Sequence, residues 1–284
     1  MPGMVADSVF GPVHLPRTIL RGLTHPFGLV AAQAVGLWPI WHWYARRLTD
    51  GSDETWGLLA LGVVLPLVWC RRGHLRPEPQ PALLLMAGVL TALSAAGTPW
   101  LHMLPRAVLG VSALGLTLAA VLDRSRPILP LWCLVLLSLP VASSQQLQFY
   151  LGYPLRAFTA WASRGLLALA GFEIVQTGTA LTWMGRTVLV DAPCSGIQML
   201  WVGMLLAALL SYLTRASAAR FGLNAAAAFL IILAGNVVRN SLLFVKEAGI
   251  LPLPAWTHAA TGLLAFLLTS VLIVGFIRWR AYGC

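Results

Sequence analysis

Long apolar runs broken by short polar clusters dominate this chain. A bilayer-spanning helix needs about 20 mostly apolar residues, with a range of roughly 17–25. Eight stretches come near that length: residues 27–44, 56–70, 81–97, 104–122, 127–142, 196–213, 221–245 and 257–277. The second and fifth are the shortest. The pattern predicts an all-α polytopic membrane protein with about eight transmembrane helices. One connection, residues 143–193, is far longer than the others. Its first part, 145–171, sets Phe149, Tyr150, Phe158 and Trp161 on a mildly amphipathic pattern, which predicts a helix lying in the membrane interface. Residues 172–190 alternate in polarity around a Thr177-Gly178 turn and a Gly185-Arg186 turn, which predicts a β-hairpin or three short strands. A long insert with its own structure is usually functional. No internal repeat or low-complexity linker divides the chain. Residues 1–284 therefore read as one membrane domain, with 143–193 an extracytoplasmic insert and 194–280 the helices that carry the chemistry.

Composition supports the membrane reading. The chain is 58% hydrophobic and 10% charged, against about 25% charged in a soluble domain, and its mean hydropathy is +0.80. The net charge is +10, and all but one of the 19 basic residues are arginine. They fall in small clusters between apolar runs. No basic stripe interleaved with aromatics exists, so the partner implied is the lipid bilayer and not nucleic acid. Placing Arg17 and Arg21 in the cytoplasm puts Arg71, Arg72, Arg76, Arg124, Arg126, Arg215, Arg220, Arg278 and Arg280 there too. The short outer loops then hold only Arg46, Arg47, Arg106 and Lys246, the first two offset by Asp50, Asp53 and Glu54. This bias predicts both termini inside. The first residues carry no small-residue cleavage motif, so no cleavable signal peptide is expected. The four cysteines follow no metal spacing, and no metal or cofactor is expected.

Three residues then stand out at one end of the last three apolar segments. Cys194, in Asp191-Ala192-Pro193-Cys194-Ser195-Gly196, opens the sixth, where a helix N-terminus favours a thiolate. Pro193 suits a first helical position and Asp191 suits a cap. Arg239 interrupts an apolar helix, a costly placement that marks functional residues, and Asn236 shares its face one turn earlier. His258 opens the eighth segment after Pro252 and Pro254. Each also has a plainer reading: a buried apolar thiol, an arginine snorkelling to headgroups, an ordinary interfacial histidine. Together, a nucleophile, a cation and a base at one face are what thiol-dependent acyl transfer requires. Asp191, Ser195, Asn236 and Asn240 are expected to support them, with Asp191 the only acid beside these segments.

In these motifs the chain resembles the exosortase/archaeosortase family. The resemblance rests on Cys194-Ser195-Gly196-Ile197, Asn236-Val237-Val238-Arg239 and His258-Ala259-Ala260-Thr261-Gly262, in that order, and covers roughly residues 80–280. It implies a cysteine peptidase or transpeptidase of a bacterial inner membrane. Its catalytic residues would be Cys194, Arg239 and His258, with Gly196 and Gly262 belonging to the motifs. The implied substrates are exported proteins with a C-terminal sorting signal of the PEP-CTERM type: a short motif, a hydrophobic helix and a basic tail. The acyl acceptor would be an amine or water. Two other classes compete. A transporter would spread polar residues through the membrane depth, whereas these gather at one end. A non-catalytic assembly or transport factor for exopolysaccharide or protein export would tolerate loss of Cys194. No HExxH or comparable ligand set supports a metalloprotease.

Overall fold

A computed structural model of the chain describes residues 25–47, 56–71, 75–76, 78–122, 127–138, 144–254 and 256–282. The N-terminal residues with Arg17 and Arg21, the acids Asp50, Asp53 and Glu54, and Arg72, Arg124 and Arg126 lie outside the described residues. So do residues 139–142 of the fifth apolar segment.

The described chain is helical apart from one small sheet. Helix α1 (Pro26–Gly36) is followed directly by α2 (Trp38–Arg47). The first predicted span is therefore two helices. Pro39 has no N–H to give and its ring crowds the carbonyl four residues back, so the helix breaks at Leu37. Helices α3 (Trp56–Trp69), α4 (Pro81–Ala96), α5 (Met103–Val121) and α6 (Ile128–Leu137) follow. Next comes α7 (Ser144–Leu169), then strands β1 (Val175–Thr177), β2 (Ala180–Trp183) and β3 (Arg186–Leu189). A 3-10 turn (Ala192–Ser195) leads into α8 (Ile197–Leu213). The chain closes with α9 (Ala218–Glu247) and α10 (Thr257–Tyr282). Among the described residues, four segments are long and apolar enough to cross a membrane: α5, the 3-10 turn with α8, α9 and α10. The apolar helices α1, α3, α4 and α6 are shorter, so the structure shows four full-length candidate spans where the sequence pattern predicts eight.

Two apolar cores lie on either side of α8. Its Trp201, Leu205, Ala208 and Tyr212 pack with Val64 of α3, Val111 and Leu118 of α5, and Leu131 and Leu134 of α6. Its Met199 and Ala207 pack with Ala228 and Ile232 of α9 and Ile273 and Ile277 of α10. Helices α8 and α9 are also joined by a buried polar pair, Asn224 Nδ2 donating to Ser211 Oγ at 3.0 Å. Where apolar surroundings offer no water, such pairs hold helices together. Helix α9 approaches α10 closely because position 235 is glycine; a β-carbon there would overlap Thr269 Cγ2.

The long insert packs on this bundle. The three strands form an antiparallel sheet in the order β1-β2-β3, with Leu181 opposite Val188 and Trp183 opposite Arg186. The β2–β3 turn falls on Met184-Gly185, with φ of 47° and 78°. Both residues are left-handed, the pairing that suits a two-residue hairpin. The β1–β2 turn falls on Gly178-Thr179, so both turns sit one residue from the positions the sequence suggests. A third core joins Ala160 and Leu167 of α7, Leu181 and Val190 of the sheet, Cys194, and Leu243, Phe244 and Ala248 at the end of α9.

Candidate active site

Cys194 sits where the sheet, α7, α8 and α9 meet, and the local chain explains why. The backbone leaves β3, turns through Ala192–Ser195 as a 3-10 helix, and reverses at Gly196 before α8 begins. Gly196 has a φ of 79°, a region open to glycine at little cost. A β-carbon there would lie 2.7 Å from Asn236 Cγ. Conformation and space both require glycine. The thiol therefore stands in the turn before α8 and not on its first turn, because the α-helical hydrogen bonds start only after the Gly196 reversal. The Asp191 carboxylate makes no cap bond; it lines the same cleft as Cys194.

Polar side chains from α9 and α7 fasten this turn. Asn236 Nδ2 and Asn240 Nδ2 each donate to the Cys194 carbonyl at 3.1 Å. Asn236 Nδ2 also donates to Thr159 Oγ1 at 3.2 Å, and Asn240 Nδ2 to the Asn236 carbonyl at 2.8 Å. Both asparagines are buried, one helical turn apart on the same face. From α7, Gln148 Nε2 donates to the Ala192 carbonyl and to Ser195 Oγ, each at 2.7 Å. Ser195 Oγ is thereby turned towards α7, and it also accepts from Ile197 N at 3.4 Å.

Arg239, three residues after Asn236, shares that face of α9. Its Nη1 donates to the Pro193 carbonyl at 3.4 Å. Its Nε is buried and has no partner among the described residues. Gly262 of α10 lies beside the guanidinium; a β-carbon there would sit 3.5 Å from Arg239 Nε. His258, the second residue of α10, places Nδ1 3.4 Å from Glu247 Oε1. Lys246 Nζ reaches the same carboxylate oxygen at 3.6 Å. Glu247 therefore joins the site, and Asp191 is not the only acid beside these helices.

Two clefts of about 420 Å³ each flank this group. One is lined by Cys194, Asp191, Asn240, Glu247, His258 and the end of the sheet. The other runs between α8 and α10, past Pro193, Gly196, Arg239, His258 and Gly262, with Met199, Val202, Leu263 and Phe266 as apolar walls. His258 borders both. The structure thus brings Cys194, Arg239 and His258 together around two openings, with Asp191, Asn236, Asn240, Gly196 and Gly262 touching one of the three or lining a cleft beside them. Sequence reasoning missed Glu247, Gln148 and Thr159. The traces they leave are an acid closing a long apolar helix and a short polar run opening α7.

These features define a helical multi-pass membrane protein with a thiol, a guanidinium and an imidazole gathered beneath a small sheet. The chain belongs to the transmembrane exosortase family (Exosortase_EpsH), whose profile matches residues 43–275. That family is in general one of cysteine transpeptidases. No curated protein and no solved structure matches the chain.

Proposed function

We propose that this protein is a membrane cysteine peptidase or transpeptidase that cuts C-terminal sorting signals of the PEP-CTERM type from exported proteins. The observation that supports it most is the placement of Cys194 and His258 on one cleft, with His258 and Arg239 on the adjoining one. A substrate helix in the apolar groove between α8 and α10 would bring the residues just before it over Cys194.

In this reading Cys194 sulfur attacks the scissile carbonyl carbon and forms the C–S bond. The thiol proton passes to His258, whose Nδ1 is engaged by Glu247, leaving Nε2 for the exchange. Negative charge gathers on the carbonyl oxygen as the tetrahedral adduct forms. Arg239, with an unpaired Nε beside Gly262, stabilises that oxygen or a carboxylate of the signal. The adduct collapses with cleavage of the C–N bond, and His258 returns the proton to the leaving amine. The thioester then passes its acyl group to an amine, or to water, and the thiol is restored. Asn236 and Asn240 keep the nucleophile's backbone in place throughout. The site would face the exterior of the inner membrane, both termini would be cytoplasmic, and the exposed aromatics of α7 would rest in the interface.

Co-expression with exported proteins carrying such tails tests this. Wild-type protein is expected to shorten or modify a tailed protein, and Cys194→Ala to abolish the change while still accumulating in the membrane. Normal processing by Cys194→Ala would move the protein to a non-catalytic assembly role.

A further inference from the structure

Strand β3 is the edge of its sheet and runs straight into the nucleophile's turn. Val190 N donates to the Thr179 carbonyl at 2.9 Å, and the register pairs Leu181 with Val188 and Trp183 with Arg186. Bonded pairs alternate along an antiparallel ladder. Residues 186, 188 and 190 therefore turn their backbone groups to β2, while Thr187 and Leu189 turn theirs to the open edge. The cleft that holds Cys194 is lined by Thr187, Val188, Leu189, Val190 and Asp191 in unbroken succession, and by Leu181 of β2 opposite Val188. Alternate side chains of a strand point to opposite faces. One face of the sheet, with Leu181, Val188 and Val190, therefore borders the cleft, and Thr187 and Leu189, whose side chains point to the other face, reach it through the strand's edge.

We infer that this edge binds the substrate's backbone: the extended residues just before the scissile bond add to β3 as a fourth strand. The occupant follows from continuity. The edge and Cys194 border one cleft, His258 joins that cleft to the apolar groove, and the groove suits a hydrophobic helix. A chain that passes along β3, over Cys194 and into the groove runs in β3's own direction, so the added strand is parallel. Main-chain hydrogen bonds to Thr187 and Leu189 supply affinity without fixing side-chain identity, as in other cases of strand addition. The inference rests on the proposed function and adds how the substrate is held.

The test uses the full-length protein in detergent micelles. The probe is a synthetic peptide copied from an exported protein whose processing already depends on Cys194. Backbone esters replace its amides one at a time upstream of the cut. Each ester deletes one N–H donor, and one lost hydrogen bond is expected to lower kcat/KM about three- to tenfold. The expected signature has a period of two: every second ester weakens cleavage and those between do not. A flat profile, or equal losses at all positions, overturns the inference. On the enzyme side, Leu189→Pro removes an N–H that the sheet does not use, a substitution edge strands accept. It should raise KM while the protein accumulates normally, whereas Val188→Pro breaks the ladder itself. The ester series keeps the test decisive if either proline variant fails to fold. An edge occupied by a second copy of the chain would give disulfide-linked dimers of Thr187→Cys with a flat ester profile, which also overturns it. Loss of Cys194-dependent processing in cells counts against the proposed function, and a flat profile counts against the added strand alone.

Discussion

At Gly196 a single hydrogen separates a working turn from a clash. Gly196→Ala sets a methyl group against Asn236 and asks alanine to hold a φ of 79°. The strain alone is worth about 1–3 kcal/mol, so a lower melting temperature in detergent is expected. Asn236 would also be displaced from the Cys194 carbonyl, lowering processing more than stability. Glu247 calls for a smaller effect. Its side chain and that of His258 are 45% and 47% exposed, and such a pair contributes about 1 kcal/mol at most. Glu247→Gln should therefore reduce kcat about fivefold or less with KM unchanged, whereas His258→Ala, removing the proposed proton carrier, should cost about a hundredfold or more. A loss in Glu247→Gln as large as in His258→Ala would show that the carboxylate does more than orient the ring. Cys194, Arg239 and His258 are legible in the sequence because a thiol, a cation and an imidazole are conspicuous in apolar surroundings. Gln148 is not, since it meets Ala192 and Ser195 only when α7 folds back across the turn. Glu247 is hidden beside Lys246, where the two read as an ordinary charged helix end.

Among the elements, α9 carries most of the site, and its spacing from α10 is set at Gly235. Gly235→Leu would drive a side chain into Thr269 and move Arg239 away from Gly262 and His258. Overpacking of this kind costs about 1–3 kcal/mol. The variant is expected to reach the membrane yet lose processing, and a compensating Thr269→Gly should restore part of it. Unchanged processing in Gly235→Leu would mean that α9 and α10 need not stay in register. The helices are readable in the sequence because apolar length is their only requirement. Their ends are less so. Pro39 splits the first segment through a steric clash that hydropathy averaging does not register. The 3-10 turn escapes notice because Asp191-Ala192-Pro193 resembles a helix start until the Gly196 reversal is seen. The sheet is visible in its alternation, with turn positions shifted by one because Met184, not a typical turn residue, takes the first left-handed place.

Over the whole molecule, lengths place the site. Helix α9 has 30 residues, about 45 Å at 1.5 Å per residue, against a hydrocarbon thickness of about 30 Å. A spanning α9 would leave up to about ten residues beyond the apolar layer, and the candidate site gathers at the end of α9 that holds Arg239 and Glu247. In a chain lacking other cysteines, Met184→Cys on the hairpin should react with a membrane-impermeant maleimide added to intact cells. Ala219→Cys, at the opposite end of α9, should react only after lysis. The reverse pattern would invert the proposed orientation. The polar contacts that fix Cys194 have a wider consequence. They come from one stretch of chain, Gln148 to Asn240, and α3, α5 and α6 pack on that stretch through a large apolar core. Substitutions in the helices before α7 that keep volume and hydropathy should therefore disturb the turn at Cys194 less than polar changes within residues 148–240.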